Sequence, residues 1–118
     1  MSVLTAFEIH EQMIEAARQV DACVEEYKRR ADAYAIAKHG SEMAQAIAFP
    51  STKGTVDERK ATVMRMCGEV MLMELQADAL KNSADRALKA ALAKLSAIQS
   101  SAAALRAELQ LVRTDNYS

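Results

Sequence analysis

Tryptophan is absent from this chain; proline occurs once, glycine three times, cysteine and phenylalanine twice each, and tyrosine three times. So few aromatic side chains exclude a thick globular core built by the chain alone. One proline, Pro50, leaves a single place where a helix is forced to stop. Three scattered glycines, Gly40, Gly54 and Gly68, are too few for a Gly-rich phosphate loop. Cys23 and Cys67 lack metal-ligand spacing and fall in apolar stripes, the pattern of buried free thiols in a reducing compartment. The two histidines, His10 and His39, carry no metal motif. Neither has a Glu three residues before it, as a di-iron bundle requires, and Ile14 stands where a zinc-protease helix needs its second histidine. No serine, threonine or cysteine has a recognisable base beside it. Neither an enzyme nor a bound cofactor or metal is expected. A run of about 18 apolar residues, enough to cross a bilayer, is nowhere present. Met1-Ser2-Val3-Leu4 has no basic or strongly apolar leader character, so the expected location is the cytoplasm.

What the chain has is helical periodicity. Residues 55–112 contain no proline and one glycine, and as a continuous helix they would run roughly 85 Å. Thr55 and Glu58 form a capping-box pattern behind Lys53-Gly54. Apolar positions then step by threes and fours through Val63, Met66, Val70, Met73, Ala77, Leu80 and Ala84. They resume at Leu88 and continue as Ala91, Leu95, Ile98, Ala102, Leu105, Leu109 and Val112. This is a heptad seam with a stutter near 80–88, where Asn82 and Ser83 make a bend or break plausible. Thr5 and Glu8 form a second capping box, followed by Ile9, Met13, Ala17, Val20, Val24, Tyr27, Ala31 and Tyr34 at the same spacing. The first helix is expected over 5–49, weakened near 39–41 by Gly40 and ended by Pro50.

The expected fold is therefore all-α: one domain of 118 residues, a long antiparallel helical hairpin, coiled-coil-like and oligomerising. A turn at 50–54 joins the arms, and a frayed tail follows at 113–118. Tyr34 is expected opposite Met71. The second arm then outruns the first, leaving Ile98, Leu105, Leu109 and Val112 as an unmatched apolar stripe for self-association. Met64, Met66, Met71 and Met73 read best as core filling rather than a binding face, and Gly68 beside them as a place where another helix approaches.

The net charge is −1, but its distribution is uneven. Glu8, Glu11, Glu15, Asp21, Glu25 and Glu26 stand against Arg18 alone at the start. Residues 28–65 carry Lys28, Arg29, Arg30, Lys38, Lys53, Arg59, Lys60 and Arg65 against four acids. Folding back is expected to gather Lys38, His39, Lys53, Arg59, Lys60 and Arg65 near the apex. Multiplied by oligomer symmetry, such a patch suits a nucleic-acid backbone, bound in a salt-sensitive, sequence-tolerant way. Solvated helix faces with local ion pairs explain the same charges without a ligand.

The acidic first helix, the turn Gly54-Thr55-Val56-Asp57-Glu58-Arg59-Lys60-Ala61 and the close Leu105-Arg106-Ala107-Glu108-Leu109, then Arg113-Thr114-Asp115-Asn116, resemble the tailed-phage UvsY-like recombination mediators over roughly residues 25–116. The resemblance implies a non-enzymatic oligomer in the cytoplasm of an infected bacterial host. Such an oligomer binds single-stranded DNA and assists a RecA-like recombinase to load against single-strand-binding protein. Family members carry basic residues in the last turns before the loop. Here Met43-Ala44-Gln45-Ala46-Ile47-Ala48 has none, which shifts the expected DNA contacts to Lys38, Lys53, Arg59, Lys60 and Arg65. The competing expectation is a coiled-coil interaction module, such as a phage assembly chaperone or an inhibitor of a host protein, with no nucleic-acid role.

Overall fold

The computed structural model describes residues 5–117, with side chains through 114. Met1 to Leu4 and Ser118, on which the leader reading and the very end of the tail depend, lie outside the described residues. The described chain is all-α: α1 (Ala6–Ala48, 43 residues), one 3-10 turn (Phe49–Ser51), α2 (Val56–Met66, 11 residues) and α3 (Gly68–Tyr117, 50 residues). Both expected starts are present. The Thr5 amide donates to Glu8 Oε2 at 3.0 Å while the Glu8 amide donates to Thr5 Oγ1 at 3.1 Å, a complete capping box. The Thr55 hydroxyl accepts from the Glu58 amide at 3.2 Å and caps α2. α1 passes through Gly40 without interruption and stops at Ala48, just ahead of Pro50.

The interruption in the second arm falls at Cys67, between α2 and α3, rather than near 80–88. It is a one-residue disturbance. The Cys67 amide still reaches the Val63 carbonyl at 2.8 Å, and the Met71 amide reaches that of Cys67 at 3.0 Å. α3 is helical through 80–88 and continues past Val112 to Tyr117, with the Thr114 hydroxyl donating to the Gln110 carbonyl at 3.0 Å. The expected tail of 113–118 is thus helical as far as it is described.

Contacts divide the chain into two compact units: residues 26–85, and residues 1–25 together with 86–118. The first of these, the hairpin unit, contains the chain reversal. On α1 its buried and half-buried row is Tyr27, Arg30, Tyr34, Ala37, Ser41, Ala44 and Ala48. On the second arm it is Val63, Cys67, Val70, Glu74, Ala77, Lys81 and Ala84. Steps of three and four alternate strictly in both rows, so the seam carries no stutter. Met66, Met73 and Leu80, expected on the seam, are exposed; their neighbours Cys67, Glu74 and Lys81 hold those places. Of the four clustered methionines only Met71 packs against the core of Ala48, Val63 and Cys67, joined there by Ala44, Phe49 and Val70.

That core sets the register of the hairpin unit. Pairing starts where Val63 and Cys67 meet Ala48, not at Thr55, so the first turns of α2 extend beyond the end of α1. Tyr34 consequently faces Lys81, whose ammonium lies 4.0 Å from the ring centroid, and not Met71. The lysine tolerates a seam position because its stem covers apolar surface while the head engages the ring and Asp78 Oδ1 at 3.4 Å. Ser41, the most deeply buried side chain of the unit, accepts from Gln45 Nε2 at 3.0 Å.

The terminal unit pairs Ile9, Met13, Ala16, Val20 and Cys23 of α1 with Leu88, Ala91, Leu95, Ile98, Ala102 and Leu105 of α3 as its covered rows. Ala16, not Ala17, is the buried residue. Ile9 and Met13 share a groove with Ala102 and Leu105, and Cys23 shares another with Ala90 and Ala91. Ile98 and Leu105 are therefore half-buried within the chain, contrary to the expected overhang. Only Leu109 and Val112 of that stripe stay exposed. Cys67 is a buried free thiol as expected, whereas Cys23 is half-exposed.

The core at the reversal yields a direct check. Val63→Ala removes two methyl groups where Ala48 and Cys67 close around them, and is expected to cost about 1–3 kcal/mol in urea unfolding. Met64→Ala, one residue along on the exposed face, should stay within about 0.5 kcal/mol.

Candidate functional site

The reversal is the most constrained part of the molecule. Gly54 has φ +110°, a backbone conformation that residues with a side chain rarely adopt, so the turn favours glycine there. The carbonyls of Ala48 at the end of α1 and of Phe49 in the 3-10 turn accept hydroxyls. Ser51 Oγ donates to the Ala48 carbonyl at 2.7 Å, and Thr52 Oγ1 donates to that of Phe49 at 2.6 Å. Arg59 completes this cap from α2. Its Nε donates to Thr52 Oγ1 at 3.1 Å, a terminal nitrogen donates to the Phe49 carbonyl at 3.2 Å, and the guanidinium carbon stands 4.1 Å from the Phe49 ring centroid.

These contacts redistribute the expected cation cluster. Arg59 is half-buried and holds the turn together, so its charge is committed inside the fold. Lys53 and Lys60 are exposed at the reversal, and Lys60 lines a shallow groove with Phe49, Val63 and Met64. Arg65 is exposed one turn further on and donates to Thr62 Oγ1 at 3.2 Å. Lys38 and His39 are exposed but stand well before the end of α1, about 15 Å below it for Lys38 at the helical rise. The fold thus brings Lys53, Lys60 and Arg65 toward the apex and leaves Lys38 apart.

A second charged constellation lies on α1. Glu26 accepts from both Arg29 and Arg30, with the Arg30 Nε at 2.8 Å. The hydrogen bond from Arg30 is the main reason that the Glu26 carboxyl lies below its ordinary range; desolvation opposes it, and the charges of Arg29 and Arg30 with the Arg29 hydrogen bond add to the lowering. Arg30 occupies a seam position, and Glu26 keeps its charge satisfied there.

A surface that the sequence reading did not single out is apolar. On α1, Ala33, Ile36, Gly40, Met43 and Ile47 repeat at alternating steps of three and four, outside the seam row, and Ile36, Met43 and Ile47 are exposed. On the second arm Met66, Met73 and Leu80 recur every seven residues, also exposed. Both rows were visible as periodicity. One was absorbed into a helix thought weakened at Gly40, the other into the seam.

Compared with family models, with curated proteins and with solved structures, the chain matches none of them.

Two outcomes follow from the charges. Arg59→Ala should lower stability by about 2 kcal/mol through lost hydrogen bonds and ring stacking, with Arg59→Lys failing to restore it; Lys60→Ala should be near neutral in the same urea titration. Because the Glu26 carboxyl is lowered in the folded state, its stabilisation is complete above the ordinary carboxylate pKa. It fades as pH falls through the folded value. Glu26→Gln should therefore reduce the acid-side loss of stability and leave its slope near neutral pH unchanged.

Proposed function

We propose that this chain is a non-enzymatic helical assembly protein whose work is done by its surfaces. The observation that carries this reading is the set of exposed large apolar side chains recurring at heptad spacing outside the seam, Ile36, Met43 and Ile47 on α1 with Met66, Met73 and Leu80 on the second arm. Single exposed apolar residues are ordinary, but aligned rows of them mark a face meant for another helix. Sedimentation velocity across the micromolar range should give a mass that rises above the 12.9 kDa of one chain. A single species of that mass at every concentration would sink the reading.

A second reading, binding of single-stranded DNA in the manner of the UvsY-like mediators, is favoured by a different observation: Lys53, Lys60 and Arg65 are exposed around the reversal. An oligomer would repeat these cations and hold a phosphate backbone by counterion release. Assisting a RecA-like recombinase to load against single-strand-binding protein is the role this reading implies. In fluorescence anisotropy a labelled oligothymidylate should bind at low salt and release steeply as salt rises. Lys53→Ala, Lys60→Ala and Arg65→Ala should each weaken binding and together reduce the salt slope. Failure to bind at low salt removes the DNA reading and leaves the assembly reading intact.

A further inference from the structure

Gly40 lies deep inside α1, where glycine is the least favourable ordinary helix residue. No described residue asks for it. A β-carbon at Gly40 would meet no atom within 4 Å, and its backbone is helical. Gly54 makes the contrast, since its φ of +110° favours glycine. The surroundings of Gly40 are equally telling: it is the midpoint of the exposed row Ala33, Ile36, Gly40, Met43 and Ile47, which contains no charged residue.

This row reads almost the same from either end. If a second α1 is laid antiparallel across it with the twofold axis at Gly40, Gly40 meets Gly40, Ile36 meets Met43, and Ala33 meets Ile47. Small residues fall opposite large ones at the ends, and the two backbones come closest at the glycines. Self-complementarity of this kind is what a twofold interface requires, because the same patch must serve both sides.

The second arm widens the patch. Gln45 of α1 and Met64 of α2 line one groove with Phe49 and Val63, so they share one edge of the hairpin unit. Two residues further along a helix is about 200° of rotation, which takes Ile47 and Met66 together to the opposite edge. Met73 and Leu80 follow Met66 at seven-residue steps on that side. Ile36 is 74% exposed, Ile47 72% and Met73 60%. The face is about 21 Å long over residues 33–47 and two helices wide, of the same order as the roughly 800 Å² that each partner buries in a standard interface.

We infer that this face of the hairpin unit is covered by a second copy of the chain, α1 crossing α1 antiparallel with contact at Gly40. The inference rests on the assembly reading above and specifies its surface and symmetry. Sedimentation equilibrium should give twice the 12.9 kDa chain mass. Gly40→Leu is the discriminating variant: its side chain has open space within the chain and favours the helix, so circular dichroism should show undiminished helix. Its dimer dissociation constant should nevertheless rise at least tenfold. Leu109→Asp with Val112→Asp, which alters the exposed end of α3, should leave the dimer unchanged. Self-association that ignores Gly40→Leu, or that the α3 variant abolishes instead, overturns the inference while the assembly reading survives. A wild-type chain that stays monomeric overturns both. As a positive test, Gly40→Cys in a Cys23→Ala, Cys67→Ala background should form a disulfide-linked dimer on mild oxidation. Ile14→Cys in that background should not, and equal crosslinking of the two would count against the twofold axis.

Discussion

The meeting of Ala48 with Val63 and Cys67 is the contact on which the hairpin unit depends. It is the buried contact between the returning chain and α1, and a heptad repeat has no freedom to change register afterwards. Once those residues face each other, Lys81 comes to Tyr34, and a charged residue finds itself on a seam. Each polar side chain so placed has a local answer. Lys81 covers the ring and reaches Asp78, Arg30 is held by Glu26, and Ser41 takes a hydrogen bond from Gln45. Polar residues in a seam cost stability relative to leucine, but they disfavour pairings in which they would lie unsatisfied.

The reversal is engineered to make that contact in one way. Gly54 turns the chain, Thr55 starts α2, and the hydroxyls of Ser51 and Thr52 with the Arg59 guanidinium close the end of α1. Five hydrogen bonds and a ring contact therefore fix the angle at which α2 returns. Arg59 sits in a stretch that looks like a solvated basic run, yet its charge serves packing. Its fork reaches two acceptors while its flat face lies on Phe49, a combination that a lysine does not supply.

Much of the fold was legible because helix ends are written in short-range chemistry. Thr5 with Glu8, Thr55 with Glu58, and Pro50 after Ala48 mark boundaries through hydrogen bonds spanning three residues. The seam was less legible for an equally physical reason. Met66, Met73 and Leu80 are more apolar than Cys67, Glu74 and Lys81, so a hydrophobicity pattern prefers the wrong member of each adjacent pair. That choice manufactures a stutter where the pattern rejoins the true seam at Ala84. Charge patterning misled in the same manner. Lys38 and Arg59 belong to one basic stretch of sequence, but one stands along α1 and the other is folded into the turn.

The same ambiguity explains why the exposed apolar row escaped notice. A helix that packs on one side needs one stripe; α1 of the hairpin unit has two, and the Ala-rich composition makes them hard to tell apart by periodicity alone. Burial separates them: Ala37, Ser41 and Ala44 are covered, while Ile36, Met43 and Ile47 stand in solvent. Toward the reversal the covered stripe is built of small residues, Ala37, Ser41, Ala44 and Ala48, while the uncovered one carries Ile36, Met43 and Ile47. That inverts the economy of a monomer, in which the largest apolar surfaces are the ones worth removing from water. A small-residue seam lets the two arms approach closely and saves the bulkier side chains for a second face. Gly40 at the centre of that face fits the same logic, since it weakens its own helix while a β-carbon there would meet no described atom within 4 Å.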